Sequence, residues 1–326
     1  MYNMEKFVKA FRLPKALKPR RRTIVQQRSC RKPLAFVRAI TAAGIFYDAV
    51  REWTGPGKSF NMIVMDISFF DLDFSGGAGR YAALPLVFGH APPDAVHGVI
   101  TSAAAGSMHH TKGKPGPARE AMLHSLGAVY GFDPARTFAL TQIHSRDIRA
   151  VDRAAPNTGE AADGMITIDR AVTLTVTVAD CLPVFLYDTQ SGARALLHSG
   201  WRGTGIVLRA LEMMAAAWGT RPEAAAALLG PCIQPCCYAV DEERARNFEA
   251  EFGGDSPLGP VTVRRDGSRP AISLQAANAR LLAAAGVRHC SVCRNCTFTD
   301  TRLGSFRREG AESYTKMMAI FPAPAN

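Results

Sequence analysis

Three residues whose types could bind a metal or act as a nucleophile stand out in the sequence: His144 in "TQIHS", Cys181 in "VADC" and His198 in "LLHSG". Two imidazoles and one thiolate suit zinc, and three protein ligands leave a fourth position for water or substrate, as in a catalytic zinc site. The 36 and 16 intervening residues match no short metal motif. The residue types, rather than their spacing, therefore predict an open metal site.

The same residues fit other chemistries, which stay open at this level. Cys181 as a thiolate, with His198 or His144 as its base, is the pair expected of a cysteine hydrolase or amidase. Two His and one Cys also form a blue-copper ligand set, which suggests a copper-dependent phenol oxidase. A multicopper oxidase typically needs His-x-His pairs, and the sequence has none. A metal-binding interaction module without turnover, or plain structural side chains, are the remaining interpretations.

The stretch "HSGWRGTG" at 198–205 predicts an anion pocket beside His198. Its three glycines let backbone amides approach a ligand, and the start of the following predicted helix favours an anion. Arg202 adds a two-point grip on phosphate or carboxylate, and Trp201 adds an apolar or stacking wall. The alternative is a tight turn in which Trp201 fills the core.

The elements that must position these residues are predicted from alternating apolar runs and amphipathic segments after about residue 60. Strands are predicted at 61–70, 137–145, 164–168, 174–180, 193–200, 225–230 and near "MMAIF", and helices at 117–131, at 205–218 and up to 286. This order predicts one mixed α/β domain. His144, Cys181 and His198 are then each expected at or just after the end of a strand. At such positions the sheet fixes the geometry of the side chain, and the adjoining loops leave it accessible to a ligand.

The stretch "TVTVADCLPVFLYD" at 175–188 predicts how Cys181 reaches such a site. An alternating apolar run is interrupted at Asp180, and apolar residues resume after Pro183. Because proline cannot donate a ladder hydrogen bond, Pro183 helps to end or bulge the strand, and the thiolate leaves the pleat. Asp180 is then either a partner for a ligand imidazole or loop amide, or a cap of the local turn.

Further cysteines invite a second metal site. Three have the spacing C-x-x-C-x-x-C, which suggests an iron–sulfur or zinc site with His289 as a further ligand: Cys290, Cys293 and Cys296. Three more follow a Gly-Pro turn in "GPCIQPCCY": Cys232, Cys236 and Cys237. The preferred interpretation is structural or redox-exposed thiols in the first group and packing around the site in the second.

Charge divides the chain into two parts. Residues 1–58 contain 14 Lys or Arg and 3 Asp or Glu, whereas residues 59–326 contain 25 of each. The predicted division is a basic N-terminal extension, 1–58, outside the fold, and a catalytic domain, 59–326. A neutral body argues against specific nucleic-acid binding. The absence of a long apolar run argues against a membrane span, and the cysteine pattern favours reduced thiols in the cytoplasm.

Six ordered motifs together resemble the YfiH or laccase-domain family of purine nucleoside phosphorylases: "QIH", "ADGMIT", "TVTVADCLPVFLYD", "ALLHSGWRGTG", "LLGPCIQPCCYAVDEE" and "CTFTDTRLGSFRREG". The resemblance implies a single mixed-sheet α/β (α+β) domain, layered as an α-β-β-α sandwich of the YfiH type. It implies zinc or copper on His144, Cys181 and His198. It implies phosphorolysis of adenosine, inosine and S-methyl-5'-thioadenosine to the base and a ribose 1-phosphate, with adenosine deamination as a companion reaction.

The residue types and the resemblance together imply contacts to nucleoside and phosphate, in a monomer or homodimer, from a wider set: Gln142, Asp180, Trp201, Arg202, Gly203, Ser305, Arg307 and Arg308. One position departs from the family pattern. Where Thr-Gly-Arg is expected, this chain has Tyr314, Thr315 and Lys316. Lysine keeps the charge but lacks the planar two-point grip of arginine. If this position touches phosphate, either phosphate binding is weaker or Arg307 and Arg308 carry that task.

Overall fold

Two β-sheets form the centre of the protein in a computed structural model, which describes residues 38–40, 46–48, 65–88, 97–111, 114–264 and 267–324. The larger sheet has seven strands, in spatial order β3 (Asp66–Phe70), β17 (His289–Cys293), β14 (Ala225–Leu229), β12 (Leu182–Asp188), β13 (Arg194–Ser199), β10 (Gly164–Thr167) and β9 (Ile148–Ala150). The smaller has five, in the order β4 (Tyr81–Pro85), β5 (His97–Thr101), β18 (Met317–Phe321), β11 (Thr173–Val178) and β8 (Thr137–Phe138).

Helices and short strand pairs complete the described architecture. The helices are α1 (Pro117–Tyr130), α2 (Ile206–Trp218), α3 (Glu242–Phe252), α4 (Leu274–Ala285) and α5 (Phe306–Glu309). The two-stranded pairs are β1 (Arg38–Ile40) with β2 (Phe46–Asp48), β6 (His110–Thr111) with β7 (Lys114–Pro115), and β15 (Thr262–Val263) with β16 (Ala271–Ile272). None of the described helices combines the length and the apolar composition that a membrane span needs.

The central strands are apolar at nearly every position because both of their faces are buried. In β12, Val184 and Leu186 pack with the helices α2, α3 and α4, whereas Phe185 packs against the five-stranded sheet. In β14, Leu229 likewise packs on the helix side, whereas Leu228 packs against the five-stranded sheet. Successive side chains of a strand point to opposite faces, so a continuous apolar run covers two interfaces.

Helix α1 covers the outer face of the five-stranded sheet. Met122 and Leu126 of α1 share a buried cluster with Val99, Met318 and Ile320 of the sheet. The predicted helix at 117–131 is confirmed, since Pro117 begins it and Gly131, at φ 74°, ends it in the left-handed conformation that glycine adopts without strain. The order of layers, helices, sheet, sheet and helix, confirms the predicted α-β-β-α sandwich.

The stretch at 175–188 is two strands in two different sheets. β11 pairs with β18 in the smaller sheet, whereas β12 pairs with β13 and β14 in the larger one. The chain therefore crosses between the sheets at 179–181, and this crossover places Cys181 outside both ladders. The expectation that Pro183 ends or bulges the strand is wrong, because Pro183 is the second residue of β12 and lies opposite His198.

One other element differs from its prediction. Of the strand expected at 137–145, only Thr137–Phe138 is a strand, with an isolated bridge at Thr141. His144 therefore lies in a loop rather than at a strand end, whereas His198 is the penultimate residue of β13, at the strand end as predicted. The other predicted strands and helices form within a few residues of their expected bounds. Residues 61–64 and nearly all of 1–58 lie outside the described residues, so the N-terminal division stays a prediction.

Candidate metal centre

The three residues singled out in the sequence meet in the folded chain. One donor atom from each of His144, Cys181 and His198 lies within 4.8 Å of the others. The two imidazole rings approach edge to face, with centroids 5.0 Å apart and planes at 74°. His144 is exposed, Cys181 is half-buried and His198 is buried. Two imidazoles and a thiol converging with one exposed side fit a three-ligand zinc or copper site with room for a further ligand.

A buried carboxylate, Asp163, orients this group. Its Oδ1 lies 2.8 Å from Nδ1 of His198, so the other ring nitrogen, Nε2, is left for the site. It also accepts hydrogen bonds from the backbone amides of Ile143, His144 and Ser145 at 3.2, 3.0 and 2.6 Å. Asp163 thereby fixes both the ring of one candidate ligand and the loop that carries another. Carboxylates beyond the metal ligands commonly orient histidine ligands in this way.

The chain adopts a strained conformation at two positions of the site. His144 has φ 60° and Asp180 has φ 86°, in the left-handed region that non-glycine residues rarely occupy. The hydrogen bonds that three backbone amides donate to Asp163 hold His144 in this conformation. Asp180 is held by its own carboxylate, which accepts hydrogen bonds from the Thr297 hydroxyl at 2.6 Å and from the Arg307 amide at 2.7 Å. Such strain persists where surrounding contacts over-determine it, commonly at functional sites.

A glycine leaves room for the thiol. A Cβ on Gly200 would lie 2.9 Å from Sγ of Cys181 and 3.4 Å from Cδ2 of His144. We expect Gly200→Ala to strain the site by about 1 to 3 kcal/mol, as overpacking does. Metal affinity should then fall about ten-fold or more, at roughly 1.4 kcal/mol per factor of ten. Zinc competition with a chelator, on protein whose melting temperature is also recorded, measures this.

Gly76→Ala is the matched control for that experiment. Gly76 has φ −79°, and a Cβ there meets nothing within 4 Å. It should leave metal affinity unchanged. Unaltered zinc affinity in Gly200→Ala would contradict the steric argument.

The thiol and the buried imidazole form a charged pair when no metal is bound. Burial by itself raises the pKa of Cys181, but the neighbouring His198 and His144 lower it to about 6. Burial by itself lowers the pKa of His198, but the Cys181 charge and the Asp163 hydrogen bond raise it to about 9. Between these values the pair is a thiolate and an imidazolium, so Cys181 is a nucleophile or metal ligand near neutral pH.

The alkylation rate of Cys181 in metal-free protein is expected to report this pair. The folded-state pKa is lowered, so thiolate is lost as pH falls through about 6, rather than near the ordinary value of 9. The iodoacetamide reaction at Cys181, followed by peptide mass spectrometry, should therefore stay fast down to about pH 6 and slow below it. The buried thiol of Cys290, whose pKa burial raises to about 12, is the internal control. A midpoint near pH 9 for Cys181 would contradict the pairing.

Two aromatic rings in segments that adjoin the site have arginine guanidinium groups over them. The carbon Cζ of Arg202 lies 5.0 Å, and that of Arg244 4.6 Å, from the ring centre of Trp201. Arg307 lies over Tyr238 at 5.4 Å. Burial, and next the charge of Cys181, raise the pKa of the Tyr238 hydroxyl. Trp201 also packs on the helix side of the larger sheet, in line with the core interpretation, and its role as a wall of a binding pocket stays a prediction.

Other predicted contact residues have structural partners. The Gln142 amide group pairs with the backbone of Thr177 on β11 at 2.7 Å in both directions. Ser305 is buried and caps α5 by accepting from the Arg308 amide at 3.2 Å. Arg308 donates to the carbonyl groups of Thr297, Phe298 and Leu303. Gly203 is buried in the turn before α2, where a Cβ would lie 3.0 Å from the Ser145 carbonyl oxygen. These contacts hold loops of the site together.

The position that departs from the family pattern lies at the end of the α5 loop. Nζ of Lys316 lies 5.6 Å from the ring centre of Tyr314, and the Lys316 amide donates to the Ser107 hydroxyl at 3.2 Å. The Glu309 carboxylate accepts from the Thr315 amide at 2.6 Å and from the Ser305 amide at 2.8 Å. The backbone of this segment is therefore tied to α5, and a phosphate role of Lys316 stays a prediction.

The C-x-x-C-x-x-C stretch does not gather into one cluster. Cys290 and Cys293 lie three residues apart on β17, so they face opposite sides of the sheet and belong to different core clusters. Cys296 instead lies beside Cys236 and Cys237. The suggested iron–sulfur or zinc site at 290–296 is therefore wrong, because strand alternation separates its members.

Sequence patterns did not single out three residues that shape the site: Asp163, Tyr238 and Arg244. Asp163 lies inside the motif "ADGMIT", whose unusual feature is an acidic residue directly before a buried strand. That signal would have indicated a buried partner. Tyr238 and Arg244 depend on contacts between distant segments, and no local pattern marks them. Gly200 was among the three glycines noted in "HSGWRGTG", but its contact with Cys181 was not predicted.

Comparison with known proteins identifies the family. A family model described as multi-copper polyphenol oxidoreductase laccase matches residues 114–321. A protein of Corynebacterium glutamicum named purine nucleoside phosphorylase is 33% identical over 190 residues, which are 57% of this chain and 74% of that protein. One of the same name from Deinococcus radiodurans is 33% identical over 201 residues, 61% of this chain and 75% of that protein.

Solved structures share the fold. YlmD from Geobacillus stearothermophilus superposes with a TM-score of 0.64 at 26% identity, covering 72% of this chain and 94% of that one. YfiH from Bacillus licheniformis superposes with a TM-score of 0.61 at 20% identity, covering 70% and 92%, and shows the fold alone. The matched family segment contains His144, Cys181, His198 and Asp163.

Proposed function

The chain belongs to the family described as multi-copper polyphenol oxidoreductase laccase, and we propose that it is a metal-dependent purine nucleoside phosphorylase. The observation that carries the proposal is the convergence of His144, Cys181 and His198 within one segment shared with that family. Relatives named purine nucleoside phosphorylase supply the reaction class. The proposed substrates are adenosine, inosine and S-methyl-5'-thioadenosine, each with phosphate.

The proposed reaction is a displacement at the sugar. A phosphate oxygen bonds to C1' of the ribose, the bond from C1' to the purine nitrogen breaks, and the base leaves with that electron pair and takes up a proton. A zinc or copper ion held by His144, Cys181 and His198 would supply a Lewis acid for substrate or water. The protein must otherwise hold two reactants, one of them an anion, in reacting geometry.

The residues beside the metal site fit those tasks. Arg202 and Arg307 are exposed cations, and each rests on an aromatic ring that limits its motion. Arg202 follows His198 by four residues, and the Arg307 amide bonds to Asp180, the neighbour of Cys181. We propose that these two guanidinium groups hold phosphate, since arginine binds phosphate with two parallel hydrogen bonds. Tyr238 and Trp201 supply the aromatic surface for a purine. The Arg307 guanidinium group donates to one carbonyl oxygen, that of Ala239, at 3.1 Å. The Arg308 guanidinium group donates to three loop carbonyl groups and to the Glu309 carboxylate, so we leave Arg308 out of the proposed phosphate site.

Incubation of metal-analysed protein with adenosine, with and without phosphate, tests the reaction. Adenine and ribose 1-phosphate appearing only with phosphate are the expected result. Inosine formed without phosphate would support the companion proposal of deamination, in which water replaces the amino group and ammonia leaves. No conversion of adenosine, inosine or S-methyl-5'-thioadenosine by protein carrying one equivalent of zinc or copper would overturn the proposal.

A second candidate is favoured by one observation. Cys181, His198 and Asp163 form a nucleophile, a base and an orienting carboxylate, with the last two joined at 2.8 Å, which is the arrangement of a cysteine hydrolase. In that case Cys181 would bond to an acyl carbon and release an amine or alcohol. An activated ester that leaves a stable acyl group on Cys181 in chelator-treated protein, and nowhere in the His198→Ala variant, would support this function.

A further inference from the structure

Three cysteines that are not part of the proposed metal centre lie near it and near one another. The sulfur atoms of Cys236, Cys237 and Cys296, here called the thiol cluster, all lie within 4.8 Å of one another. Those of Cys236 and Cys237 are 3.4 Å apart, and all three cysteines are free. Cys236 is exposed, Cys237 half-buried and Cys296 buried, so the cluster opens to solvent on one side.

Two loops hold the thiol cluster in place. The amides of Cys237 and Tyr238 both donate to the Gln234 carbonyl oxygen at 2.9 Å, which makes a tight turn around the adjacent cysteines. The Gln234 amide donates to Sγ of Cys296 at 3.4 Å, and such a bond stabilises a thiolate. Cys232 and Cys296 are paired through an isolated bridge between the two loops. Backbone contacts therefore hold the two loops that carry the sulfur atoms.

Asp180 links this arrangement to the first site. Its carbonyl oxygen accepts from the Ile233 amide at 3.0 Å, and its carboxylate accepts from the Thr297 hydroxyl at 2.6 Å. One of these partners belongs to each loop of the thiol cluster. The crossover that places Cys181 in the metal centre thus also fixes the cluster, while the two donor sets share no residue.

We propose that Cys236, Cys237 and Cys296 form a second metal site, a three-thiolate site for the soft cation Cu(I). Metal–sulfur bonds of about 2.3 Å place neighbouring thiolates about 3.8 to 4.0 Å apart. Separations between 3.4 Å and 4.8 Å need only small side-chain movements to reach that geometry. The thiol cluster is independent of the proposed phosphorylase reaction, because it uses none of His144, Cys181 and His198.

The donor set favours Cu(I) over zinc. Thiolates are soft ligands that select Cu(I), Zn or iron–sulfur clusters. Structural zinc almost always takes four protein ligands, whereas the thiol cluster offers three. Three sulfur ligands complete the coordination of Cu(I). The exposed Cys236 marks the side from which the ion enters the site. The first site, with two imidazoles and one thiol, has a mixed donor set, so the two sites are distinguishable by spectroscopy.

Anaerobic titration of the reduced full-length protein with Cu(I), in competition with a Cu(I) chelator, tests the proposal. Wild-type protein should bind two equivalents, and Cys236→Ala and Cys296→Ala one each. Cys290→Ala, which removes a buried thiol from β17, should still bind two. Copper X-ray absorption should give about two sulfur neighbours per copper on average in the wild type and about one in Cys236→Ala, if one site is all-sulfur and the other mixed.

Three results would overturn the assignment. The first is a Cys181→Ala variant, which lacks the first site, that binds no Cu(I). The second is a Cys236→Ala variant that binds as many equivalents of Cu(I) as the wild type. The third is uptake of a second equivalent of zinc but not of Cu(I). Because Cys236 is exposed, its replacement should leave the fold intact even if loss of the buried Cys296 thiol does not. The melting temperature of each metal-free variant separates loss of the site from loss of the fold.

Discussion

Cys181→Ala should lose both tight metal binding at the first site and nearly all nucleoside phosphorolysis. The thiol is the one sulfur among three donors that lie within 4.8 Å of each other, and its removal leaves two imidazoles. Lewis-acid stabilisation is worth several kcal/mol, so we expect a rate loss of roughly a thousand-fold, at about 1.4 kcal/mol per factor of ten. Steady-state rates of base release and zinc content, measured on the same sample, check this.

The control for that variant is Cys290→Ala. It also removes a buried thiol, but from β17 in the packed core, where burial raises the pKa and the thiol stays neutral. Loss of a buried sulfur is expected to cost about 1 kcal/mol of stability there, with activity and zinc content unchanged. If Cys181→Ala kept wild-type turnover with no bound metal, the metal-dependent reaction would be wrong.

Asp163→Asn is expected to damage stability and metal binding together. The wild-type carboxylate accepts hydrogen bonds from three backbone amides, the Ser145 hydroxyl and the His198 ring. An asparagine side chain has an NH2 group in place of one carboxylate oxygen, so its N–H groups would face some of these donors and those hydrogen bonds would be lost. Breaking a buried charged pair costs about 3 to 5 kcal/mol. Loss of a partner behind a histidine ligand lowers metal affinity about ten-fold to a hundred-fold.

Urea unfolding of metal-free protein and zinc competition separate the two effects. Asp147→Asn is the matched control, because Asp147 is an exposed carboxylate in the same loop, two residues after Ser145. Its change should shift the free energy of unfolding by less than about 0.5 kcal/mol. An Asp163→Asn protein within about 1 kcal/mol of the wild type, with unchanged zinc affinity, would show that this carboxylate does not organise the site.

The sequence predicted the donors and the layers for identifiable reasons. His144, Cys181 and His198 were recognisable by residue type, and the six ordered motifs gave them a common setting. The α-β-β-α layers were implied by the family resemblance. The apolar run "VFL" of β12, whose neighbouring side chains face opposite interfaces, was not predicted as a separate strand. Helix ends were visible where glycine follows an apolar periodic segment, as at Gly131 and Gly286.

Tertiary structure alone decided how the donors meet. The break at Asp180 looks like the end of one strand, yet it is a passage between two sheets, since strand pairing depends on partners more than 100 residues away, such as β18. The hydrogen bonds of Asp163 and the clearance at Gly200 also join segments that are distant in sequence. Local patterns report residue type and periodicity, whereas the meeting of distant loops depends on sheet pairing and packing. For that reason the sequence by itself determined which groups can do chemistry, and only the fold decided that Cys296 joins Cys236 and Cys237 rather than Cys290 and Cys293.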